Sequence, residues 1–458
     1  MRAAILILLA LLGVSAAAQM RVPTSQAEIQ TGFVPVVQAA APAVVNIYAK
    51  RVVSVRSPFA NDPFFQDLFR DFGTQRQRVE NSLGSGVILG EDGIVVSNYH
   101  VVGEATDIRV VLNDRREFSA RVLLSDEESD LAVLQMEEAE DMPALPIRDS
   151  DTVQVGELVL AIGNPFGVGQ TVSSGIVSGL ARSGTATGNA RGYFIQTDAP
   201  INPGNSGGAL VDVNGALIGI NTAILSRSGG SNGIGFAIPS SLVAQFVAQA
   251  RAGHERFERP WAGLTGQPVT ADMAEGLGLE RPGGVVLAEL HSQSVFLEAG
   301  LAPGDVITAI DGHPVNTPAE MLFRMSVTGI GTEASVTYLR DGQAREAQVR
   351  MTRPPDTPAR APRITGQRSA IPGMTLSTVN PAAIADYGLP LSTEGVLVDD
   401  PGEIGLRAGL RPGDVLRGIN GVPVEDSATA DALLENPGRS LALDVQRGTQ
   451  RLAMRFRL

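Results

Sequence analysis

One motif occurs twice in the C-terminal half of the chain, and no single-core fold accommodates that easily. Residues 299–315 read Ala-Gly-Leu-Ala-Pro-Gly-Asp-Val-Ile-Thr-Ala-Ile-Asp-Gly-His-Pro-Val. Residues 408–424 read Ala-Gly-Leu-Arg-Pro-Gly-Asp-Val-Leu-Arg-Gly-Ile-Asn-Gly-Val-Pro-Val. Each copy reads as a helix end, a Pro-Gly-Asp turn, a strand, a glycine turn and a second strand. Two small modules of one kind are therefore expected, and the chain of 458 residues leaves room for at least one larger domain before them.

That earlier region changes pattern. From Leu83 to Ile238 short apolar runs follow one another between turn residues, among them residues 94–96, 108–112, 131–134, 158–162, 193–196, 209–211 and 216–220. Many short strands at regular spacing argue for barrels or sandwiches, so the chain is expected to be mainly β. Residues 240–250 switch to helical spacing, with Leu242, Val243, Phe246 and Val247 on one face and Ser240 as the expected N-cap. This helix is expected to close the first domain. Residues 251–259 are charged and read as a linker.

Within the strand-rich region, residues 196–210 carry one serine between glycines, Gly204 before Ser206 and Gly207-Gly208 after it. A Gly-Asn turn between strands is the plain alternative. The other reading is catalytic. Gly204 lets the backbone turn so that its N–H and that of Ser206 converge as an oxyanion hole, with Asn205 between them. A hydroxyl nucleophile needs a base. Of four histidines only His100 lies in this region, where an apolar strand runs into a polar turn. The imidazole in turn needs an acid. Asp130 opens the apolar strand 131–134, whereas Asp126 stands in an acidic turn and Asp198 lies close to the serine in sequence. The order His, Asp, Ser is that of a chymotrypsin-like double β-barrel. His100 and Asp130 then fall in the first barrel and Ser206 in the second, with the site in the cleft between them.

Residues 97–102, 129–134 and 204–208 resemble the three catalytic blocks of the HtrA/Deg serine proteases, and residues 221–225 and 233–239 are also similar to that family. Tyr99 departs from the smaller or amide residue that many relatives carry before the histidine. The two repeats resemble PDZ modules. The resemblance implies a protease domain over residues 19–252, PDZ domains over 260–353 and 364–458, and a Pro-rich, exposed linker over 354–363. It implies an endopeptidase without ATP, metal or other cofactor, acting on unfolded or misfolded envelope proteins. Ile201 and Ile224 would narrow the S1 pocket toward small aliphatic residues. Peptide C-termini would be held at Gly283, Gly284, Val285 and Val286 in the first PDZ module. In the second they would be held at Glu394, Gly395, Val396 and Leu397. For the second module a purely structural or oligomer-contact role is the alternative. A homotrimer or a multiple of trimers is expected by family likeness. The phenylalanine-dense residues 58–72 read either as a helix capping the barrel or as an intersubunit contact. The glycine-rich stretches 180–192 and 226–233 resemble the family's activation loops.

Charge and termini narrow the class further. A formal charge of −13 disfavours a nucleic-acid partner. The chain has no cysteine, so its compartment cannot be read from disulfides. Met1-Arg2, an apolar run from Ala3 to Val14 and Ala16-Ala17-Ala18 read as a signal peptide cut after Ala18, hence export to the periplasm. No later stretch is long and apolar enough to span a membrane. The rival to a protease is a binding protein, either a holdase chaperone or a PDZ adaptor with little proteolysis.

Overall fold

The computed structural model describes residues 32–56, 75–164, 169–183, 193–202, 204–224, 233–277 and 279–457. The expected signal peptide, residues 58–72, and most of the glycine-rich stretches 180–192 and 226–233 lie outside the described residues.

Twelve strands form two closed barrels, as the strand spacing predicts. The first contains β1 (Val44–Arg56), β2 (Gln75–Ile88), β3 (Ile94–Ser97), β4 (Asp107–Val111), β5 (Glu117–Asp126) and β6 (Leu131–Met136), in the spatial order β1-β2-β3-β6-β5-β4. The second contains β7 (Leu158–Gly163), β8 (Thr171–Ser183), β9 (Tyr193–Thr197), β10 (Ala209–Asp212), β11 (Leu217–Ile224) and β12 (Gly235–Pro239), in the order β10-β11-β12-β9-β8-β7. The apolar run of β7 shows why the barrels stay together. Val159 and Ala161 fill the second barrel, while Leu160 and Ile162 join the core that runs into the first. Burial on both faces selects a continuous apolar strand rather than an alternating one.

A helix, Ser240–Arg251, follows β12 and lays Leu242, Val243, Phe246 and Ala250 into that shared core. Ser240 does not cap it. Ser240 is the first helical residue, and its hydroxyl donates to the Arg148 carbonyl. The charged stretch that follows is exposed at residues 251–253 and 255–256 and packs at its end. Phe257 is buried and stacks on Phe246 at 3.9 Å. The Arg259 guanidinium donates to Asp126 and to Ser129 Oγ.

The two repeats fold as separate sheets with the same plan. The first holds β13 (Leu264–Pro268), β14 (Val285–Leu290), β15 (Val306–Ile310), β16 (His313–Pro314), β17 (Glu333–Arg340) and β18 (Gln343–Arg350), in the order β13-β14-β15-β17-β18 with β16 on β15. The second holds β19 (Arg363–Ile364), β20 (Thr375–Thr378), β21 (Val396–Asp400), β22 (Val415–Ile419), β23 (Val422–Pro423), β24 (Ser440–Arg447) and β25 (Gln450–Arg457). Its order is β19-β20-β21-β22-β24-β25 with β23 on β22. The repeated Pro-Gly-Asp has a physical cause in both. Asp305 and Asp414 are buried, and each accepts a two-pronged pair from an arginine, Arg340 at the end of β17 and Arg447 at the end of β24. The paired carboxylate raises the affinity of each guanidinium for its proton.

The first module docks on the barrels through the helix Pro318–Thr328. Phe323 stacks on Tyr193 at 3.9 Å, and Arg324 pairs with Asp151. The Pro-rich linker is exposed at residues 356–359 and 361–363, and hydrogen bonds also tie it to the second module. Asn380 Nδ2 donates to Asp356 Oδ1 and to the Pro358 carbonyl, and Ala382 N–H donates to the Pro355 carbonyl.

Candidate active site

Strand register brings His100 and Asp130 together. β3 and β6 are neighbours, with Ser97 opposite Ala132. The residue just after β3 and the one just before β6 therefore meet at one barrel end. After β3 the chain makes a single helical turn, Tyr99–Val102, and His100 sits on it. His100 Nδ1 stands 2.9 Å from both Asp130 carboxylate oxygens, and the His100 backbone N–H donates to Asp130 Oδ1 at 3.0 Å. Buried Asn98 donates from Nδ2 to the Asp130 carbonyl at 2.9 Å, fixing the acid's backbone as well. Asp130 has φ 53°, a left-handed conformation that aspartate tolerates better than most residues. A carboxylate on Nδ1 favours the neutral tautomer whose Nε2 is free to accept a proton.

The two competing acids are placed elsewhere. Asp126 accepts from the Ser129 N–H and from Arg259, so it ties the acidic turn to the end of the protease domain. Asp198 accepts from the Ile176 N–H at 2.7 Å.

Ser206 comes from the second barrel, in the turn before β10. Its hydroxyl donates to the Thr222 carbonyl at 3.1 Å and makes no bond to His100. Thr222 in turn donates its own hydroxyl to Asp130 Oδ2. One residue of β11 thus touches both the acid of the first barrel and the serine of the second.

The backbone around Ser206 is held from below by Ser85 on β2. Ser85 Oγ donates to the Gly204 carbonyl at 2.6 Å and accepts from the Asn164 N–H at 2.8 Å. The Ser85 N–H donates to the Ser206 carbonyl at 2.9 Å. The Asn205 carbonyl accepts from the Gly208 N–H at 2.9 Å. In a trans peptide the N–H points opposite to the C=O. The Ser206 N–H is therefore aimed away from these contacts, and it has no partner among the described residues. The Asn205 N–H is turned away from the expected hole. It donates to the Asn202 carbonyl at 3.0 Å, and its side chain is buried and accepts from Thr171 Oγ1. Asn205 positions the turn and supplies no free donor to a hole. Gly207 has φ +82°, and a Cβ there would lie 2.1 Å from the Ser85 carbonyl oxygen. No other residue permits so close an approach of the two barrels.

Ser85 and Thr222 are the site residues that the reading of the sequence missed. Removing the Ser85 hydroxyl frees a half-buried Gly204 carbonyl and the buried Asn164 N–H, at about 1–3 kcal/mol for a fully buried orphaned group. Ser85→Ala is expected to lower kcat on a chromogenic peptide about tenfold to a hundredfold, with KM little changed. An unchanged kcat, or an equal rise in KM alone, counts against a positioning role.

The remaining expectations divide. Ile201 is 1% exposed and packs with Val159, Ile195 and Leu210 in the second-barrel core, so in this conformation it faces no open pocket. The Ile224 side chain lies outside the described part; its backbone pairs with Gly235. Tyr99 lies on the rim of the groove beside His100, with its ring close over Gly103. The PDZ loops need correction. Strand addition requires a free edge, and Val285 and Val286 lie on β14, which is paired with β13 on one side and β15 on the other. Val396 and Leu397 on β21 are likewise paired on both sides, by β20 and β22. Gly283-Gly284 and Glu394-Gly395 precede these interior strands. Among the described residues the first module's sheet ends in β13 and β18, and β13 is the end strand beside the helix Pro318–Thr328. The signal was a Gly-apolar-x-Gly stretch, Gly263-Leu264-Thr265-Gly266, just after Trp261.

Comparison with known proteins agrees with this geometry. A trypsin-like peptidase domain matches residues 84–220, and PDZ domains match residues 263–351 and 397–447. A probable periplasmic serine protease do/HhoA-like from Haemophilus influenzae is 38% identical over 447 residues, covering 94% of this chain and 92% of that protein. The periplasmic pH-dependent serine endoprotease DegQ of Escherichia coli K12 is 38% identical, covering 92% of this chain and 90% of its own. The chain belongs to the HtrA family of serine endoproteases. Among solved structures, the HtrA-type protease AlgW with decapeptide is 41% identical with a TM-score of 0.52, covering 70% of this chain and 99% of that one. As an HtrA-family member the chain is a serine endopeptidase with a trypsin-like domain and two PDZ domains.

Proposed function

We propose that Ser206 is the nucleophile, His100 the general base and then acid, and Asp130 the group that orients it. The observation that carries this is Thr222, which joins Asp130 to Ser206 across the two barrels. In the reaction the Ser206 hydroxyl leaves the Thr222 carbonyl for His100 Nε2. Its proton passes to Nε2 as the Oγ–C bond forms on the peptide carbonyl. The Gly204 and Ser206 N–H groups receive the developing oxyanion. Collapse breaks the C–N bond, with Nε2 giving its proton to the leaving amine, and water then releases the acyl group by the same route in reverse. The chemistry needs no metal or other cofactor.

The proposed substrates are unfolded or misfolded envelope proteins. Relatives are named as periplasmic proteases, and the first PDZ module has an open strand edge for an extended C-terminus. Export with cleavage after Ala18, a pocket narrowed by Ile201 and Ile224, and assembly as a homotrimer or a multiple of trimers belong to the same reading. For Ile201 it requires the 233–235 backbone to move off its side chain, because a Cβ at Gly235 would lie 2.8 Å from Ile201 Cδ1.

A fluorophosphonate probe tests the assignment directly. Peptide mapping of the labelled full-length protein is expected to place the adduct on Ser206 alone, with casein turnover lost in step with labelling. Labelling at another serine, or full turnover after complete labelling of Ser206, overturns the assignment.

A further inference from the structure

The strand edge that is open in the first PDZ module is occupied in the second. The two modules align by register. Thr265 lies opposite Glu289 and Pro268 opposite Val285, just as Thr375 lies opposite Asp400 and Thr378 opposite Val396. β20 is therefore the counterpart of β13. β13 has no outer strand among the described residues, whereas β20 has β19, drawn from the chain's own linker.

The linker lies there as a bound peptide would. It is extended and antiparallel to β20, with Arg363 opposite Leu376 and Ile364 opposite Thr375. The Thr378 N–H donates to the Arg360 carbonyl at 2.7 Å. On the other side runs the helix Ser427–Glu435, whose Ser427 hydroxyl donates to the Ala361 carbonyl at 2.7 Å. At the head of the groove, two N–H groups of the turn before β20 converge on one residue. Gly373 N–H donates to the Thr365 carbonyl at 3.0 Å, and Met374 N–H donates to Thr365 Oγ1 at 2.9 Å. The Thr365 N–H returns a bond to the Met374 carbonyl at 2.8 Å. The Thr365 hydroxyl also donates to the Ile371 carbonyl at 2.6 Å, a bond that a carboxylate cannot give. The two accepting oxygens and the one N–H to the strand are what a free C-terminal residue also offers.

We propose that residues 360–365 are an intramolecular ligand of the second PDZ groove, and that this groove takes substrate C-termini only after the segment is displaced. This rests on the reading that the PDZ modules bind C-termini by strand addition. The groove would then fit an extended ligand with a small side chain at its last position, since Thr365 is 3% exposed there. The segment is built to be displaceable. Ile364 is 72% exposed and Arg363 is exposed too, so backbone bonds hold it with little apolar burial. It is also tethered on the approach side by Asn380 and by the Arg360–Asp386 pair. A tethered segment competes at an effective concentration on the order of millimolar, so a free peptide at about 100 μM loses roughly tenfold in occupancy.

The test uses the full chain carrying Ser206→Ala, so that added peptide stays intact. The probe is a synthetic peptide of residues 356–365, Asp-Thr-Pro-Ala-Arg-Ala-Pro-Arg-Ile-Thr, with a free carboxylate. In the parent, the peptide is expected to leave amide exchange on Thr375–Thr378 unchanged. When residues 360–365 are replaced by six Gly-Ser residues, the peptide is expected to restore protection of Thr375–Thr378 at least tenfold. If the replaced chain does not fold, Thr365→Val serves. It keeps the strand but removes one of the two oxygens, and exchange at the distant Thr378 N–H is expected to quicken about tenfold while β22 amides hold. Exchange at Leu264–Pro268 is read in parallel. Protection of that strand without β20 in the replaced chain overturns the self-ligand and leaves C-terminal binding standing. Protection of neither strand overturns both. Unchanged Thr378 exchange in Thr365→Val also overturns the proposal.

Discussion

Ser206→Ala is expected to cut casein hydrolysis on the order of a million-fold while the protein remains folded. The size follows from the proposed role of Ser206 in forming the covalent bond, since removing a serine nucleophile alone disables a whole triad. The intact fold follows from how little the hydroxyl holds. It makes one bond, to the Thr222 carbonyl, and the turn keeps its shape through backbone contacts that alanine retains. Those are Ser85 N–H to the Ser206 carbonyl, Gly207 N–H to the Asn221 carbonyl, and Gly208 N–H to the Asn205 carbonyl. Purified Ser206→Ala is therefore expected to match the parent in thermal unfolding and to leave casein intact in a gel assay. Hydrolysis within a hundredfold of the parent would remove Ser206 from the reaction. An unfolded variant would mean that the hydroxyl carries the turn. A holdase with little proteolysis predicts equal, negligible hydrolysis by both proteins, so the parent's own turnover separates the two readings.

Much of the site was legible because its residues stand at strand ends. His100 follows one apolar run and Asp130 precedes another, and adjacent antiparallel strands bring such ends together. What the chain did not show was set by register between distant strands. Ser85 reads as an ordinary small residue within β2, and only the docking of the second barrel puts it under Gly204 and Ser206. Thr222 reads as one more β-branched residue of β11, yet among the described residues it alone hydrogen-bonds both Asp130 and Ser206. The PDZ assignment failed for a related reason. An apolar run after glycines identifies a strand but not whether its edges are free, and β14 and β21 are interior. The linker's composition shows its exposure and hides its attachment. Proline suggests exposure, but proline carbonyls still accept hydrogen bonds, and those of Pro355 and Pro358 are received by the second module.

Asp130→Asn is expected to lower kcat/KM about ten-thousandfold on a chromogenic peptide, with the fold retained. The side chain accepts three hydrogen bonds, from the His100 N–H, His100 Nδ1 and Thr222 Oγ1. An asparagine can keep the backbone bond through its carbonyl oxygen. Its amide then presents N–H groups where a carboxylate oxygen stood. Facing a donor, Nδ1 must become the acceptor, which moves the ring proton to Nε2 and leaves that nitrogen unable to accept the proton of Ser206 in the proposed reaction. The lost charge also withdraws stabilisation from the imidazolium formed in the transition state. Two further variants separate this effect from simple disruption. Thr222→Val keeps the carbonyl that Ser206 uses and removes only the hydroxyl on Asp130, so a loss of about tenfold to a hundredfold is expected. Asp126→Asn removes charge four residues away, where the carboxylate serves Ser129 and Arg259. It is expected to lower the unfolding temperature and leave kcat/KM within about tenfold. If Asp126→Asn proves as inactive as Asp130→Asn, the acid acts through the shape of the 126–130 turn rather than through the imidazole. If Asp130→Asn stays within tenfold of the parent, the orienting role does not belong to Asp130.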